Sequence, residues 1–351
     1  MKEIMIGKRI IKDYTEPYII AEIGANHNGN IDLAKKMINV AKEKGADAVK
    51  FQSWTKDSIF ARQVYDDNYF LTDDYRNRTD YSLEEIVAAY ALGKNQQKLL
   101  KDYCDEIGIT FSSTPFSEDE VDFLVDELDV DFIKIASMDL NNYPFLEYVA
   151  KKGKPIVLAT GLSTLSEVDE AIRTILKTGN DKIILLHCVS IYPPKDEEVN
   201  INNIDMLRNL YGFPTGYSDH TIGITAPILS ISKGACMIEK HFTLDKNMEG
   251  WDHKVSADPY ELDIITRECK KAYKMLGCYN RTVNESEERL NAFRRSIVTT
   301  RAIKAGEVIE RKDISFKRPG NGIEPKYLDF IVGKTAKRDI GFDVLIKMED
   351  F

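Results

Sequence analysis

The segment GYSDHTIG, residues 216–223, sets Ser218, Asp219, His220 and Thr221 in one polar run between glycines. A polar loop is the ordinary reading of such a run, and the remaining histidines argue for chemistry instead. The chain has five of them, His27, His187, His220, His241 and His253, and most fall at or just past the ends of short β-rich runs. His220 closes PTGYSDH (214–220), and His241 lies near the end of the next run, CMIEKHFT (236–243). Side chains alternate along a strand, so Ser218 and His220 share one face and Glu239 and His241 share another. A lone histidine at a strand end is ordinarily a hydrogen-bonded structural residue, but on adjacent strands the two imidazoles could converge on one ion. Two imidazoles with water or carboxylate ligands suit Mn²⁺, Mg²⁺ or Zn²⁺. Asp219 is a candidate to orient a ring from behind.

Two lysines suggest a second kind of chemistry. Lys50 shares a face with Gln52 in AVKFQS (48–53), and Lys134 lies in FIKIAS (132–137). Ser113, Thr114, Ser137, Thr160, Ser190 and Ser218 fall near the ends of the same set of runs. Lysines among hydroxyls make a pocket for phosphate, with ammonium groups as point charges and hydroxyls as donors. Two alternatives stand beside this reading: lysines that reach solvent, and a Schiff-base lysine. Glu22, in YIIAEIG (18–24), adds a carboxylate at the same level of the first run.

These side chains need a scaffold that collects strand ends. From residue 18 to about 277, β-rich runs alternate with amphipathic segments such as IDLAKKMINVAKEKG (31–45) and LSEVDEAIRTILKTG (165–179). The second opens with Thr164 and Glu167 at capping-box spacing and closes at Gly179. The runs are YIIAEIG, AVKFQS, TFSST (110–114), FIKIAS, PIVLATG (155–161), IILLHC (183–188), PTGYSDH and CMIEKHFT. Strand–helix alternation implies parallel strands joined by right-handed crossovers. Eight units indicate an α/β (β/α)8 TIM barrel, whose active site lies at the C-terminal ends of its strands. An open doubly wound sheet is the alternative, weakened by the lack of a GxGxxG after the first run.

Before the barrel, IMIGKRIIKDYTEP reads as a hairpin that plugs its bottom. Residues 54–95 form a long insertion rich in Asp, Asn, Arg and Tyr, of the kind that builds lids or specificity loops. A polar linker (279–293) follows the barrel (1–278), and residues 294–351 read as a small, mostly β domain with glycine turns. A unit of that size is marginal alone.

Composition narrows the class. A net charge of −9 disfavours nonspecific nucleic-acid binding. No apolar run approaches the length of a membrane-spanning helix, and the N-terminus is charged throughout, unlike a secretory signal. The five cysteines lack CxxC spacing and fit reduced thiols in the cytoplasm.

The order of motifs carries a resemblance. AEIGANHNG (21–29), VKFQ (49–52), SSTPF (112–116), KIAS (134–137), ATG (159–161), HCVSIYP (187–193), YSDHT (217–221), EKHFT (239–243) and KRPGNGI (317–323) follow one another along the chain. This series resembles the sialic acid synthase family, whose barrel precedes an antifreeze-like (SAF) domain. The resemblance implies condensation of phosphoenolpyruvate with an N-acyl-amino sugar. It implies that His220 and His241 hold Mn²⁺ or Mg²⁺. It sets Lys50, Thr114, Lys134, Ser137, Ser190 and Ser218 around phosphoenolpyruvate, and Glu22, Gln52, Asp139, Tyr192 and Asp252 at the open-chain sugar. Glu22, Lys50, Lys134, His220 and His241 form the reacting set, and which carboxylate moves protons stays open. Arg318 is expected to reach the active site of a partner subunit in a domain-swapped homodimer.

The chain departs from the family pattern at Asp139, where many members have Glu. It departs again at Ala159 (Ser), at Ser190 (Asn), and over EGWDHKVSADP (249–259). These differences bear on the sugar: N-acetylmannosamine, or a 2,4-diacetamido hexose as in legionaminic or pseudaminic acid synthases. Two further alternatives are a Schiff-base aldolase using Lys134 and a catalytically silent barrel carrying a binding module.

Overall fold

The structure is a computed structural model describing residues 2–67 and 82–351. Its contacts divide the chain into two compact units, Met1–Gly277 and Cys278–Phe351.

The first unit opens with a hairpin of β1 (Ile4–Ile6) and β2 (Arg9–Ile11), paired antiparallel. Eight strands follow: β3 (Tyr18–Gly24), β4 (Ala48–Ser53), β5 (Thr110–Pro115), β6 (Ile133–Ile135), β7 (Ile156–Ala159), β8 (Ile183–Cys188), β9 (Thr215–Asp219) and β10 (Met237–His241). Each ladder among them is parallel, and the order is β5-β4-β3-β10-β9-β8-β7-β6. The first and last strands in sequence pair directly, Glu22 opposite His241, and this closes the sheet on itself. The seam falls between β5 and β6, where Ser112 Oγ donates to the Phe132 carbonyl at 3.3 Å. The result is a (β/α)8 barrel with one loosely joined edge.

Helices follow the strands in the expected places. Ile31–Glu43 is capped by the Asn30 side chain. Leu165–Lys177 carries the anticipated Thr164/Glu167 capping box, and Gly179 follows Thr178 with φ +88°, a left-handed value that favours glycine. Pro259–Leu276 begins with Pro at its first turn behind an Asp258 cap.

Parity sorts the barrel strands. Outward-facing Ala21, Ile23, Val49, Phe51, Ile133, Leu158 and Leu185 pack with helix residues such as Met37, Leu100, Leu146 and Ile175 in the main core. Inward-facing Ile20, Ala48, Phe132, Val157, Ile184 and Met237 pack with Ile4, Ile6 and Ile11 of the hairpin. The hairpin therefore closes the N-terminal end of the barrel with apolar side chains, and Asp13 fastens it by accepting the Thr215 amide at 2.8 Å.

Of the long insertion, residues 68–81 lie outside the described residues, so the middle of the proposed lid does too. The described part includes short helices Lys56–Ile59, Arg62–Asp66 and Leu83–Tyr90, with Ala25, Trp54, Leu83 and Val87 buried in a small apolar cluster.

In the second unit, β11 (Ser296–Thr299) pairs antiparallel with β12 (Ile314–Lys317). Single bridges such as Ile303–Ile340 and Val308–Thr335 extend the framework, so regular strand is sparser than a mostly β reading anticipates. Eight small apolar residues, seven of them isoleucine, form its own core: Ile297, Ile303, Ile309, Ile314, Ile331, Ala336, Ile340 and Ile346. The stretch read as a linker contains a helix, Glu287–Phe293, capped by Ser286. Among the described residues no helix is long and apolar enough to cross a membrane.

Candidate active site

The inward-facing chains above the apolar plug are polar, and they line a cavity of about 330 Å³ at the C-terminal ends of the strands. β3 contributes Glu22, β4 Lys50 and Gln52, β5 Thr114, β6 Lys134, β9 Ser218, and β10 Glu239 and His241. The turns that follow add Ser137, Ser190, Tyr192 and His220.

Lysines and carboxylates form one network. Lys50 Nζ lies 2.8 Å from Glu22 Oε2, donates to Thr114 Oγ1 at 2.9 Å, and approaches Glu239 Oε2 at 3.9 Å. Lys134 Nζ is 3.6 Å from Glu239 Oε1 and donates to the Ile135 carbonyl at 3.2 Å. Ser218 Oγ donates to Glu239 Oε1 at 3.0 Å. Burial pushes the Glu22 carboxyl well above the usual range, against the pull of Lys50, and the charge of Glu239 adds to the rise. Burial acts on Glu239 in the same direction, but Lys134, Lys50 and the Ser218 hydroxyl outweigh it and hold this carboxyl below its ordinary value. Two neighbouring carboxylates are thus driven apart, one toward holding a proton and one toward its charge.

Across the cavity, His220 and His241 have ring centroids 5.7 Å apart. His220 Nδ1 donates to the Val189 carbonyl at 2.7 Å, so its Nε2 carries the lone pair. Burial lowers this imidazole to about 4. His241 is pushed well below its ordinary value by burial and then by His220 and the nearby lysines. Its Nδ1 is buried without a hydrogen-bond partner and lies 3.8 Å from Asp252 Oδ2. Tyr192 stacks on His220 at 4.0 Å and meets His241 edge-on at 5.9 Å.

Two neutral imidazoles and one unclaimed ring nitrogen fit a divalent cation that keeps open positions for water or substrate. Among the described residues no group of three or more His, Cys, Asp or Glu side chains converges as a closed metal cage.

On the opposite side, Ser137 Oγ accepts the Gly161 amide at 3.1 Å and meets Cys188 Sγ at 3.0 Å. A Cβ on Gly161 would stand 2.5 Å from Ser190 Oγ and 2.8 Å from Ser137 Oγ. The glycine keeps this hydroxyl cradle open.

Not every expected residue joins the cavity. Asp139, at the end of a 3-10 turn (Ser137–Asp139), does not line it. Its Oδ1 accepts from Asn142 at 3.3 Å, its Oδ2 is buried without a hydrogen bond, and burial raises its carboxyl. Arg318, expected at a partner's site rather than this one, belongs to the second unit, where its guanidinium lies over the Phe293 ring at 4.8 Å.

Three polar residues grouped with the pocket face the other way. Ser113 bonds Ser53 Oγ at 2.7 Å, Thr160 Oγ1 donates to the Leu186 carbonyl at 3.0 Å, and His187 Nε2 pairs with the Val199 carbonyl at 2.7 Å. Alternation explains all three, because Ser112, Ala159 and Cys188 take the inward positions beside them. Two histidines also serve structural roles: His27 Nδ1 accepts the Gly29 amide at 3.0 Å, and His253 Nδ1 meets Thr243 Oγ1 at 2.6 Å. Glu239 is a charged cavity residue to which the sequence reading gives no role. Its shared face with His241 was the available signal, and only its contacts with both lysines reveal its weight.

Comparison with known proteins agrees with this geometry. Residues 37–281 match the model of the NeuB family, and residues 294–351 match the SAF domain. The chain is 44% identical over 352 residues to an uncharacterized Methanocaldococcus jannaschii protein, covering 100% of this chain and 99% of that one. It is 39% identical over 328 residues to an N,N'-diacetyllegionaminic acid synthase of Legionella pneumophila, covering 92% and 91%. A crystal structure of N-acetylneuraminic acid (sialic acid) synthetase from Leptospira borgpetersenii superposes with a TM-score of 0.72 at 34% identity, covering 82% of this chain and 94% of that one.

Proposed function

The chain belongs to the NeuB family, and from that membership we propose that it joins phosphoenolpyruvate to the open-chain form of an N-acyl-amino sugar. The products are a nine-carbon 2-keto-3-deoxy acid and inorganic phosphate. The observation that carries this reading is the pairing, in one cavity, of two lysines set among hydroxyls with two neutral imidazoles.

In this reaction C3 of phosphoenolpyruvate attacks the aldehyde carbon, water adds at C2, and the tetrahedral adduct expels phosphate. Lys50, Lys134, Thr114, Ser137, Ser190 and Ser218 hold the anionic substrate. His220 and His241 would hold a divalent cation, Mn²⁺ or Mg²⁺, which would supply Lewis-acid polarisation of the sugar carbonyl. Fixing the two carbons in contact can contribute about 7–11 kcal/mol at the upper end. Glu22 is the carboxyl suited to carry a proton, since burial raises it. Glu239 stays charged and orients both lysines. Gln52 and Tyr192 face the sugar in this reading, with Asp252 beside His241, while Asp139 stands outside the cavity.

A 2,4-diacetamido hexose is the favoured sugar, supported by the 39% identity to the diacetyllegionaminic acid synthase; N-acetylmannosamine is the comparison substrate. The Schiff-base alternative is disfavoured because Lys134 faces the Glu239 carboxylate.

A homodimer with shared sites is part of the same reading. Met138, Leu162, Ile191 and Ile222, in the turns after β6, β7, β8 and β9, are each at least half exposed. An apolar rim of this kind suits cover by a second copy. The test is phosphate release from phosphoenolpyruvate with Mn²⁺, with each sugar offered separately and EDTA as control. Sugar-dependent release that EDTA abolishes supports the proposal. Borohydride trapping of a lysine adduct, with no phosphate release, would replace it with the aldolase reading.

A further inference from the structure

Asp219 and Lys240 form an ion pair whose side chains are 0% and 1% exposed, with Lys240 Nζ 2.5 Å from Asp219 Oδ2. Lys240 also donates to the Thr221 carbonyl. Asp219 Oδ1 accepts from the Tyr217 hydroxyl and the Thr221 amide, each at 2.9 Å, and Oδ2 accepts from Thr221 Oγ1 at 3.2 Å. The two residues are register partners, and their pairing is the last between β9 and β10. Both lie on the outer face of the barrel, away from the cavity. Their chain neighbours Ser218, His220, Glu239 and His241 all face inward.

A buried ion pair is weak evidence for stability, because apolar side chains of similar volume often hold a fold as well. What apolar residues would not supply here is a grip on the turn after His220. The pair takes both the amide and the carbonyl of Thr221, at the point where ladder bonds between the strands stop. We infer that Asp219 and Lys240 are positioning residues that fix the ends of β9 and β10 so that His220 and His241 face one point. The inference rests on the reading that these two histidines hold a divalent cation.

The test uses the full chain, Lys240→Met, and the double variant Asp219→Asn/Lys240→Met. Three quantities are measured: Mn²⁺ affinity by electron paramagnetic resonance titration, melting temperature, and amide hydrogen exchange across residues 220–223. Lys240→Met leaves a buried carboxylate unpaired and is expected to melt early. The double variant carries no unpaired charge, so a merely structural role predicts recovery of both melting temperature and Mn²⁺ affinity. A positioning role predicts recovered melting alone. Mn²⁺ binding then stays weaker by on the order of tenfold to a hundredfold, the range for groups that orient metal ligands, and residues 220–223 exchange faster. Native Mn²⁺ affinity in the double variant overturns the inference. If the double variant does not fold, Tyr217→Phe, which removes one bond to Asp219, decides: a smaller loss of Mn²⁺ affinity supports the inference, and an unchanged affinity overturns it. If the native chain binds no Mn²⁺, the cation reading fails separately, and exchange decides the clamp. Faster exchange at 220–223 in the double variant then supports it, and native exchange overturns it.

Discussion

At the scale of single residues, the cavity depends on charges that hold one another in place. Lys50 contacts Glu22, Glu239 and Thr114 together. Removing either lysine therefore withdraws a proposed substrate contact and leaves buried carboxylate less compensated. A charge-assisted hydrogen bond contributes about 1.5–3 kcal/mol. Lys50→Ala and Lys134→Ala are each expected to weaken phosphoenolpyruvate binding by roughly tenfold to a hundredfold in calorimetric titration. Unchanged affinity in both would remove the lysines from the anion site. Gly161→Ala separates geometry from charge. Its new methyl would meet Ser190 Oγ, Cys188 Sγ and Ser137 Oγ at 2.5–2.8 Å, and all three are side-chain tips that can rotate away. The variant is expected to fold with a nearly native melting temperature yet lose affinity for phosphoenolpyruvate. Native affinity would show that the hydroxyl cradle does not hold the substrate.

At the scale of elements, the hairpin and β9 are joined by a carboxylate with an unusual pH response. Asp13 is buried against the Thr215 amide, and burial raises it from 3.8 to about 6, with the amide and Arg208 opposing the rise. Between those two values the folded chain holds a proton that the unfolded chain has released. The contribution of this group to stability is therefore fully present below about pH 4 and lost as pH rises through about 6, the reverse of an ordinary ion-paired aspartate. The raised value corresponds to at most about 3 kcal/mol. Asp13→Asn is expected to flatten this part of the stability profile in urea unfolding, with its largest gain over the native chain near pH 8. A native-shaped profile in the variant would assign the pH dependence elsewhere.

At the scale of the whole molecule, the two compact units pose a question about assembly. The second unit has its own isoleucine core, and its KRPGNGI turn presents an exposed Arg318. A planar guanidinium suits an amide or a carboxylate, and the proposed N-acyl-amino sugar offers an amide. If Arg318 completes the site of a partner copy, truncation before residue 279 is expected to leave a folded barrel with little activity. Mixing inactive His220→Ala and Arg318→Ala chains is expected to restore part of it, because one site of each heterodimer keeps both residues. Absence of rescue after verified subunit exchange would mean that Arg318 acts within its own chain or has no essential role.

The barrel was legible in the sequence because its strands are short apolar runs with interrupting polar residues, and each run lies between amphipathic segments with their own caps. YIIAEIG and AVKFQS appear as β3 and β4 with the expected ends. Alternation then separated Lys50 and Glu22 from the apolar core by arithmetic alone. The same parity turns Ser113, Thr160 and His187 outward, although each lies near a strand end. Only the tertiary structure decided which charges meet. Glu239 gains its importance from two lysines more than a hundred residues away in sequence for Lys134 and further for Lys50, and Asp219 turns outward to Lys240 rather than toward an imidazole. Local sequence sets the face on which a side chain emerges, because strand geometry repeats every two residues. Closure of the sheet sets its neighbours, because β3 and β10 become adjacent only when the barrel is complete.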